Sequence, residues 1–401
     1  MDKGVNPVVE ELLHRHSPKF YGMKEVYRCI HQENFITKAE LLKRTNMKQT
    51  TVVRHLDALK EYGLIRIASY DESSGGRPPA LYAIEPEAAF IIGIALSRVE
   101  TTITIVNMSF QPVASETFQM TEKHTPSHTI SLLKETIASL LEEHHIDINA
   151  LLGIGIGTVG PLDRKKGIMY PEGFVAPGWH KVAIVEEMKK TFQTDIFLEN
   201  GANTAALYES LRNHGGNKTI LYCISGWGLR CGVLANGAIM QSRKGDASSF
   251  GEMIIDVSSG RTLASYISYH QIATEVVRMI KASERKTDFY PDLNDNKNEI
   301  MEYVLEELKK GNSVIENVVL ESAYYYGIGL ANMVNILHPE VVVLNSELIH
   351  VYPAYYHKVI HTAEAFIFQN HQQEPLFQQA EDAENPISVG ACALTFQSKI
   401  G

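Results

Sequence analysis

Apolar residues in the first part of the chain recur at the spacing of amphipathic helices. The first set lies at positions i, i+3, i+4 and i+7 and consists of Met23, Val26, Tyr27 and Ile30. This spacing predicts a helix that buries one face and ends near Asn34. Thr37 and Glu40 have the spacing of a capping box, in which each side chain binds the backbone of the other residue. They predict a second, short helix over 38–44.

A third helix is predicted over 48–62, because its apolar residues again share one face. Gly63 follows this helix and is a typical C-terminal cap. Residues 64–68 and 80–84 alternate between apolar and polar side chains and flank a polar loop rich in Gly and Pro, which predicts a β-hairpin. Three helices followed by a hairpin are the order of a winged helix-turn-helix domain, which we place at residues 1–85.

From residue 86 onward the chain shows two successive sets of strands and helices. The first set has strands over 90–96, 101–107, 112–118 and 151–157 and a helix at about 129–144. The second set has strands over 219–225, 231–235, 238–241 and 341–344, and helices at about 262–282, 295–310, 315–337, 354–368 and 386–397. Two such halves predict a duplicated α/β domain with a cleft between two lobes, at about 86–200 and 201–401.

Between these sets an apolar run ends in polar residues and a helical pattern begins at once, within Leu198–Glu209 (LENGANTAALYE). In open α/β sheets, ligands bind beside helix N-termini at the carboxyl ends of strands. Glu199, Asn200 and Gly201 are therefore expected to lie beside a polar ligand. An enzyme that phosphorylates a hydroxyl group needs a carboxylate base in this loop, where the chain has Gly201. Glu199 is a poor substitute, because alternate residues of a strand point to opposite faces.

Composition narrows the class of protein. The 401 residues carry a net charge of −10, but residues 1–79 hold 13 Lys and Arg against 10 Asp and Glu, which hints at a polyanionic partner for the N-terminal segment. No apolar run reaches the roughly 18 residues of a membrane span, and the polar N-terminus lacks the core of a secretory signal, so we expect a cytoplasmic protein. The four cysteines lie in apolar surroundings without metal-binding spacing and are expected to be buried, reduced thiols.

Polar and basic residues at the third predicted helix and at the hairpin tip are candidates for DNA contact. They are Lys48, Gln49, Thr50, Thr51, Arg54 and Arg77. In a winged helix-turn-helix the third helix enters the major groove, where Gln49, Thr50 and Arg54 would reach base edges and the other two helix residues would meet phosphates. Arg77, between Gly and Pro, is suited to a minor groove. The alternative is a winged-helix module that binds only proteins and whose charges are merely solvated.

Seven motifs, taken in order, carry a resemblance over nearly the whole chain. They are SGGRPP at the hairpin tip, GIGIGTVGPLD (Gly153–Asp163), APGW (Ala176–Trp179), LENGANTAAL (Leu198–Leu207), ISGWGLRCGVLANG (Ile224–Gly237), FGE (Phe250–Glu252) and GIGLANMVNILHPEVVVL (Gly327–Leu344). With these motifs the chain resembles the ROK family, which groups bacterial sugar kinases with winged-helix repressors such as the xylose and N-acetylglucosamine repressors. The resemblance implies an α/β fold in which an N-terminal winged helix-turn-helix precedes an actin-like, two-lobed sugar-kinase domain.

Both phosphate-binding loops of the family kinases are altered in this chain. The first reads GIALSRVET over 93–101, with Ala95 at the acidic position and bulky residues in place of the glycine-rich turn, and the second contains Trp227. A phosphate cradle needs closely approaching backbone N–H groups, so both loops are expected to have lost it. Family kinases also carry an Asp as general base where this chain has Gly201. The resemblance therefore implies a protein without catalytic residues, which is not an enzyme.

The zinc site and part of the sugar site of the family are also changed. The resemblance places the zinc-binding His at Ile255, and the cysteine-rich loop that should follow contains no cysteine, so no metal is expected. Of the family's sugar contacts, Gly160, Asn200 and Glu252 are kept, whereas Ile255 and Ala264 replace a His and a Glu. Each sugar hydroxyl left without a partner costs roughly 1–3 kcal/mol. The effector is therefore expected to be a larger, phosphorylated or less polar sugar derivative, unless the cleft senses no small molecule.

These patterns together predict a homodimeric or larger homo-oligomeric transcriptional regulator, acting as a repressor, that binds a palindromic operator in double-stranded DNA. Its non-catalytic ROK domain would sense a sugar or sugar derivative and control operator binding, and it would need no cofactor. Two alternatives remain open. One is an active sugar kinase with an accessory DNA-binding module, and the other is a regulator controlled by a protein partner, with a vestigial cleft.

Overall fold

A computed structural model describes residues 20–71, 78–213, 218–241, 249–282, 297–368, 375–381 and 385–400. Its α-helices are α1 (Tyr21–Glu33), α2 (Lys38–Thr45), α3 (Gln49–Glu61), α4 (Pro126–Glu143), α5 (Ile184–Lys189), α6 (Gly201–Asn213), α7 (Ala264–Ile267), α8 (Tyr269–Ala282), α9 (Lys297–Lys309), α10 (Ser313–Leu337), α11 (Glu347–Val351), α12 (Pro353–Phe366) and α13 (Pro386–Ile400). Within the described residues, no helix has the length and apolar character that a membrane span requires.

The strands are β1 (Ile36–Thr37), β2 (Ile65–Tyr70), β3 (Ala80–Ile84), β4 (Phe90–Leu96), β5 (Glu100–Asn107), β6 (Pro112–Gln119), β7 (Leu151–Thr158), β8 (Leu162–Asp163), β9 (Ile168–Met169), β10 (Ile196–Asn200), β11 (Ile220–Ile224), β12 (Arg230–Ala235), β13 (Ala238–Ile239), β14 (Ile254–Asp256), β15 (Arg261–Thr262), β16 (Val341–Asn345) and β17 (Leu376–Gln379).

The first three helices and the first three strands form the predicted winged helix-turn-helix. Strands β2 and β3 pair as an antiparallel hairpin, and β1 adds to the free edge of β3. The capping box is confirmed, since the amide of Glu40 donates to Thr37 Oγ1 (3.3 Å) and the amide of Thr37 donates to Glu40 Oε2 (2.8 Å). Gly63, just after α3, has a φ of 68°, the left-handed conformation expected of a C-terminal cap. The hairpin tip, with Arg77, lies outside the described residues.

Two five-stranded sheets repeat one plan. In the first sheet β4, β5 and β6 form an antiparallel meander, and β7 and β10 continue from β4 in parallel. In the second sheet β11, β12 and β13 form the meander, and β16 and β17 continue from β11 in parallel. The shared strand order confirms the predicted duplicated α/β fold.

Each sheet lies in its own compact unit. Of the described residues, the first unit holds 20–71, 78–213 and 385–400, and the second holds 218–241, 249–282, 297–368 and 375–381. This division differs from the expected lobe limit near residue 200. The reason is that α6 and α13 pack against each other, and α13 also packs on strands of the first sheet, so both helices belong to the first unit.

Glycines allow α13 to approach its neighbours closely. A Cβ atom at Gly155 of β7 would lie 1.9 Å from the carbonyl oxygen of Ala391, and one at Gly390 would lie 1.8 Å from the carbonyl oxygen of Thr204. Both distances are far shorter than van der Waals contact with a backbone atom that cannot easily move. Only glycine therefore fits at these two positions, where α13 meets the first sheet and α6.

The winged helix-turn-helix shares one apolar core with the first sheet and α13. Buried Val26 and Leu56 of the helices belong to the same cluster as Ile91 and Leu152 of the sheet and Phe396 of α13. The described residues of the DNA-binding domain expected at 1–85 are therefore part of the first unit and share its core.

His31 lies within this shared core. Its ring centroid is 5.1 Å from that of Phe110 and 4.4 Å from that of Phe396, and its Nε2 lies 3.1 Å from the carbonyl oxygen of Met108. Burial lowers the pKa of His31 to about 4. The imidazole is therefore neutral near pH 7, which suits its position between two aromatic rings.

In the second unit one predicted helix needs correction, and several short elements were not predicted. The helix predicted over 262–282 is divided into α7 and α8, because Ser268 is extended, with φ −66° and ψ 145°. Neither Gly nor Pro marks this break in the sequence. The short helix α11 and the edge strand β17 were not predicted, since each is too brief to show a clear periodicity.

Candidate functional site

The predicted DNA-contact residues of α3 lie on its outward face. Lys48 precedes the helix in an extended conformation, and Lys48, Gln49, Thr50 and Arg54 are exposed while Thr51 is half-buried. The opposite face holds the buried residues Val52, His55, Leu56 and Leu59. The helix therefore presents amide, hydroxyl and basic groups to solvent from its first two turns, where a recognition helix contacts bases.

Two further residues of α3 belong to this face and were not predicted. Val53 and Asp57 line the same surface groove as Gln49, Thr50 and Arg54. An exposed valine in this position suits contact with a thymine methyl group, and an aspartate can accept a hydrogen bond from a cytosine amino group. Their spacing from Gln49, at i+4 and i+8, could have indicated this from the sequence.

The second candidate region is the carboxyl edge of the first sheet. Leu96 of β4 pairs with Thr158 of β7, which in turn pairs with Asn200 of β10, so the three parallel strands end at one level. The segments that follow, including Gly160 and the start of α6, leave the sheet along this edge. The structure thus places Gly160 and Asn200 at the same end of one sheet, the end at which ligands bind in open α/β sheets.

The side chain of Glu199 forms a buried ion pair. Its side chain is 1% exposed, and its carboxylate receives both Nε (2.7 Å) and Nη2 of Arg164 in a bidentate arrangement. The same carboxylate accepts hydrogen bonds from the amide of Asn200 (2.7 Å) and from Asn203 Nδ2 (2.9 Å). Its carboxylate thus accepts four hydrogen bonds, two of them from a cation that stabilises its charged form, so Glu199 is a poor candidate for a general base. No sequence signal identified Arg164 as its partner.

Asn200 and Gly201 form the junction between β10 and α6. Asn200 is buried and its Oδ1 accepts a hydrogen bond from the amide of Ala202 (3.0 Å), which caps the start of the helix. A Cβ atom at Gly201 would lie 3.3 Å from Cδ1 of Ile387, at the start of α13. A side chain at position 201, to which the resemblance assigns the kinase base, would therefore meet the apolar side chain of Ile387.

The loop that replaces the first phosphate-binding loop satisfies its own backbone. Ser97 Oγ accepts hydrogen bonds from the amides of Val99 (3.2 Å) and Glu100 (3.1 Å) and donates one to the carbonyl of Glu100 (2.7 Å). Arg98 extends from the same turn, and its Nε donates to the carbonyl of Glu172 (2.6 Å). A phosphate would have to displace the serine hydroxyl to reach these two amides.

The second glycine-rich loop is held by aromatic packing in the second unit. The amide of Ser225 donates to the carbonyl of Asn345 (3.0 Å), and the amide of Tyr269 donates to the carbonyl of Gly226 (3.0 Å). The ring of Trp227 contacts Tyr269 edge-on, with centroids 5.8 Å apart. Trp227 also packs against the apolar core of this unit and so anchors the loop to that core.

The segment that corresponds, by resemblance, to the family's zinc-binding region forms the β14–β15 hairpin, which carries apolar and serine residues. Ile255, in β14, packs against the core of the second unit, and Ala264 begins α7. In the turn, the Asp256 carboxylate accepts hydrogen bonds from the amide (3.0 Å) and hydroxyl (2.6 Å) of Ser258. These bonds and those from Ser259 hold the pKa of Asp256 well below its usual range. Across the described ranges, no three His, Cys, Asp or Glu side chains are grouped so that they could hold a metal ion.

Glu252, the third predicted sugar contact, lies in the second unit. It ends a short 3-10 turn, Ser249–Glu252, and is exposed. Gly160 and Asn200 belong to the first unit, so the candidate effector residues are divided between the two.

Comparison with known proteins relates the chain to both regulators and kinases. It is 25% identical over 333 residues to the xylose repressor of Caldicellulosiruptor bescii, with 80% of this chain and 82% of the repressor aligned. It is 28% identical over 260 residues to a glucokinase of Halalkalibacterium halodurans, with 60% of this chain and 76% of the kinase aligned. The repressor alignment thus extends over more of the chain than the kinase alignment does.

A solved structure shares the fold over nearly the whole chain. It is that of a ROK family transcriptional regulator, a homologue of the Escherichia coli MLC protein. The two superpose with a TM-score of 0.77 at 16% identity, over 95% of this chain and 97% of that one. The sequence profile of the ROK family matches residues 91–398, well over half of the chain. The chain therefore belongs to the ROK family.

Proposed function

We propose that the protein is a DNA-binding transcriptional regulator, acting as a repressor, in which α3 reads operator DNA and the ROK domain binds a sugar or sugar derivative without phosphorylating it. The observation that carries the proposal is the outward face of α3, where Lys48, Gln49, Thr50 and Arg54 are exposed next to one groove. The relatives support it, because a named repressor aligns over most of the chain.

The proposal includes a homodimer. Two copies related by a two-fold axis would present two α3 helices to successive turns of the major groove, so we expect a palindromic operator. Arg77 would add a contact to the minor groove. Effector contacts are assigned to Gly160, Asn200 and Glu252. A ligand there changes DNA binding only if it binds the two arrangements of the dimer with different affinities.

Arg54→Ala is expected to weaken binding to the specific operator by about 1–3 kcal/mol, because a bidentate contact to a base is lost. The operator would first be selected from a random DNA pool, and affinity measured by fluorescence anisotropy at constant salt. Lys60→Ala is the matched control, since Lys60 is an exposed cation at the far end of the same helix. Equal losses for the two variants, on operator and on unrelated DNA, would contradict base reading by α3.

The absence of kinase activity is a second expected result. Neither the wild-type protein nor Gly201→Asp should release ADP from ATP when sugars are added. The Cβ atom of the new Asp would lie 3.3 Å from Cδ1 of Ile387, and the amides of the first loop would remain bound to Ser97. A coupled assay of ADP release, run against a panel of hexoses and pentoses, tests this. Sugar-dependent turnover by the wild-type protein, abolished by Asn200→Ala, would instead support an active kinase.

A further inference from the structure

Two cations of α1 bind the C-terminal end of α13. Lys24 Nζ donates a hydrogen bond to the carbonyl of Lys399, and Arg28 Nη2 donates one to the carbonyl of Ile400 (3.2 Å). Lys24 is 4% exposed, so this contact lies inside the protein and not on its surface. The last carbonyls of a helix have no intrahelical partner and carry a partial negative charge. Lys24 and Arg28, from the DNA-binding domain, therefore supply hydrogen-bond donors to carbonyl groups in the last turn of α13.

Aromatic side chains surround this junction. The ring of Phe396, on α13, lies 6.4 Å from Tyr27 and 4.4 Å from His31 of α1, measured between centroids, and 5.5 Å from Phe110. Helix α1 thus meets α13 through two hydrogen-bonded cations and an aromatic cluster. The orientation of α3 follows that of α1, because the two helices pack on each other within one core.

The other end of α13 meets the candidate effector region. Ile387, in its first turn, lies against Gly201 at the β10–α6 junction, and Gly390 lies directly on the backbone of Thr204 in α6. These contacts leave no space for α13 to move independently of α6. Closely packed interfaces of this kind change between discrete arrangements and do not deform gradually.

We propose that Lys24 and Arg28 are positioning residues that hold the DNA-binding helices on α13, so that α13 transmits the state of the β10–α6 junction to the placement of α3. This inference rests on the proposed function, and it adds the route by which a ligand would act. In a dimer, the placement of α3 sets the distance between the two recognition helices. This distance determines which spacing of operator half-sites the dimer can bind.

If Lys24 and Arg28 only stabilised the fold, replacing them would lower the free energy of unfolding and leave the preferred spacing of operator half-sites unchanged. The discriminating measurement therefore compares full-length wild-type protein with Lys24→Met/Arg28→Met. Methionine keeps the apolar stem of each side chain and leaves no unpaired charge in the junction. Affinity is measured for a single half-site and for palindromes whose half-site separation is changed by one or two base pairs.

The wild-type protein is expected to prefer one separation by about tenfold or more, because simultaneous engagement of both half-sites depends on geometry. The double variant is expected to keep its half-site affinity and to lose most of that preference, and Arg28→Lys should retain it. Lys43→Met, an exposed cation of α2 away from α13, is the control and should keep the preference. Thermal unfolding establishes that each variant is folded.

A folded double variant with the wild-type spacing preference would overturn the positioning role while leaving the proposed function intact. Loss of half-site affinity together with spacing preference would also overturn it, because the defect would then lie in α3 itself. If the wild-type protein binds no DNA at all, the proposed function fails and this inference fails with it.

Discussion

Arg164→Met is expected to lower the free energy of unfolding of the first unit by about 3 kcal/mol, the lower end of the range for breaking a buried ion pair. The substitution leaves the Glu199 carboxylate buried and without its cation. The amides of Asn200 and Asn203 still donate to it, which keeps the loss from being larger. Urea denaturation measures the effect.

The two tryptophans make the measurement specific to the first unit. Trp179 belongs to the first unit and Trp227 to the second, so the fluorescence of a Trp227→Phe background reports on the first unit alone. In that background Arg164→Met/Glu199→Gln is expected to recover much of the stability lost in Arg164→Met, because no uncompensated charge remains. A double variant as unstable as the single one would show that Arg164 stabilises the protein by packing and not by charge.

Gly390→Ala is expected to destabilise the first unit by about 3 kcal/mol or more, the upper end of the range for overpacking. The added methyl group would lie 1.8 Å from the carbonyl oxygen of Thr204, so α13 and α6 would have to separate. The same fluorescence-detected urea unfolding provides the measurement.

Gly201→Ala is the matched control for this prediction. Its methyl group would meet only the side chain of Ile387, at 3.3 Å, and a side chain can turn away where a backbone carbonyl cannot. We expect a loss of about 1 kcal/mol for the control. Similar losses for both variants would mean that α13 can shift on α6 at little cost, and this would also weaken the proposed transmission through α13.

Local signals made much of the fold predictable. Thr37 and Glu40 stand three residues apart, so the start of α2 could be predicted from the sequence, and the strands of both five-stranded sheets other than β17 follow from their apolar patterns. The break at Ser268 could not be predicted, because serine tolerates both helical and extended conformations and only packing decides between them. The assignment of α13 to the first unit could not be predicted either, because the residues that α13 contacts lie far from it in the sequence.

The candidate sites also contain some features that the sequence predicts and others that it does not. The polar face of α3 follows from helical periodicity, and the structure places Lys48, Gln49, Thr50 and Arg54 where that pattern predicts. Asn200 could be located because a strand and a helix meet there. The pairing of Glu199 with Arg164 could not be predicted from the sequence. The two residues are 35 positions apart, and no local pattern indicates where the β8–β9 hairpin, which carries Arg164, will lie.

The return of α13 to the first unit has a consequence for how the protein is made. Lys24 and its acceptor on Lys399 are 375 positions apart, with the second unit synthesised between them. A nascent chain on the ribosome can form helices α1 to α3 early, but it lacks α13, the helix that completes their core, until residue 400 has been synthesised. Contacts so distant in sequence form late and slowly. We therefore expect truncated translation products to be poor DNA binders, so that incomplete chains do not compete for the operator.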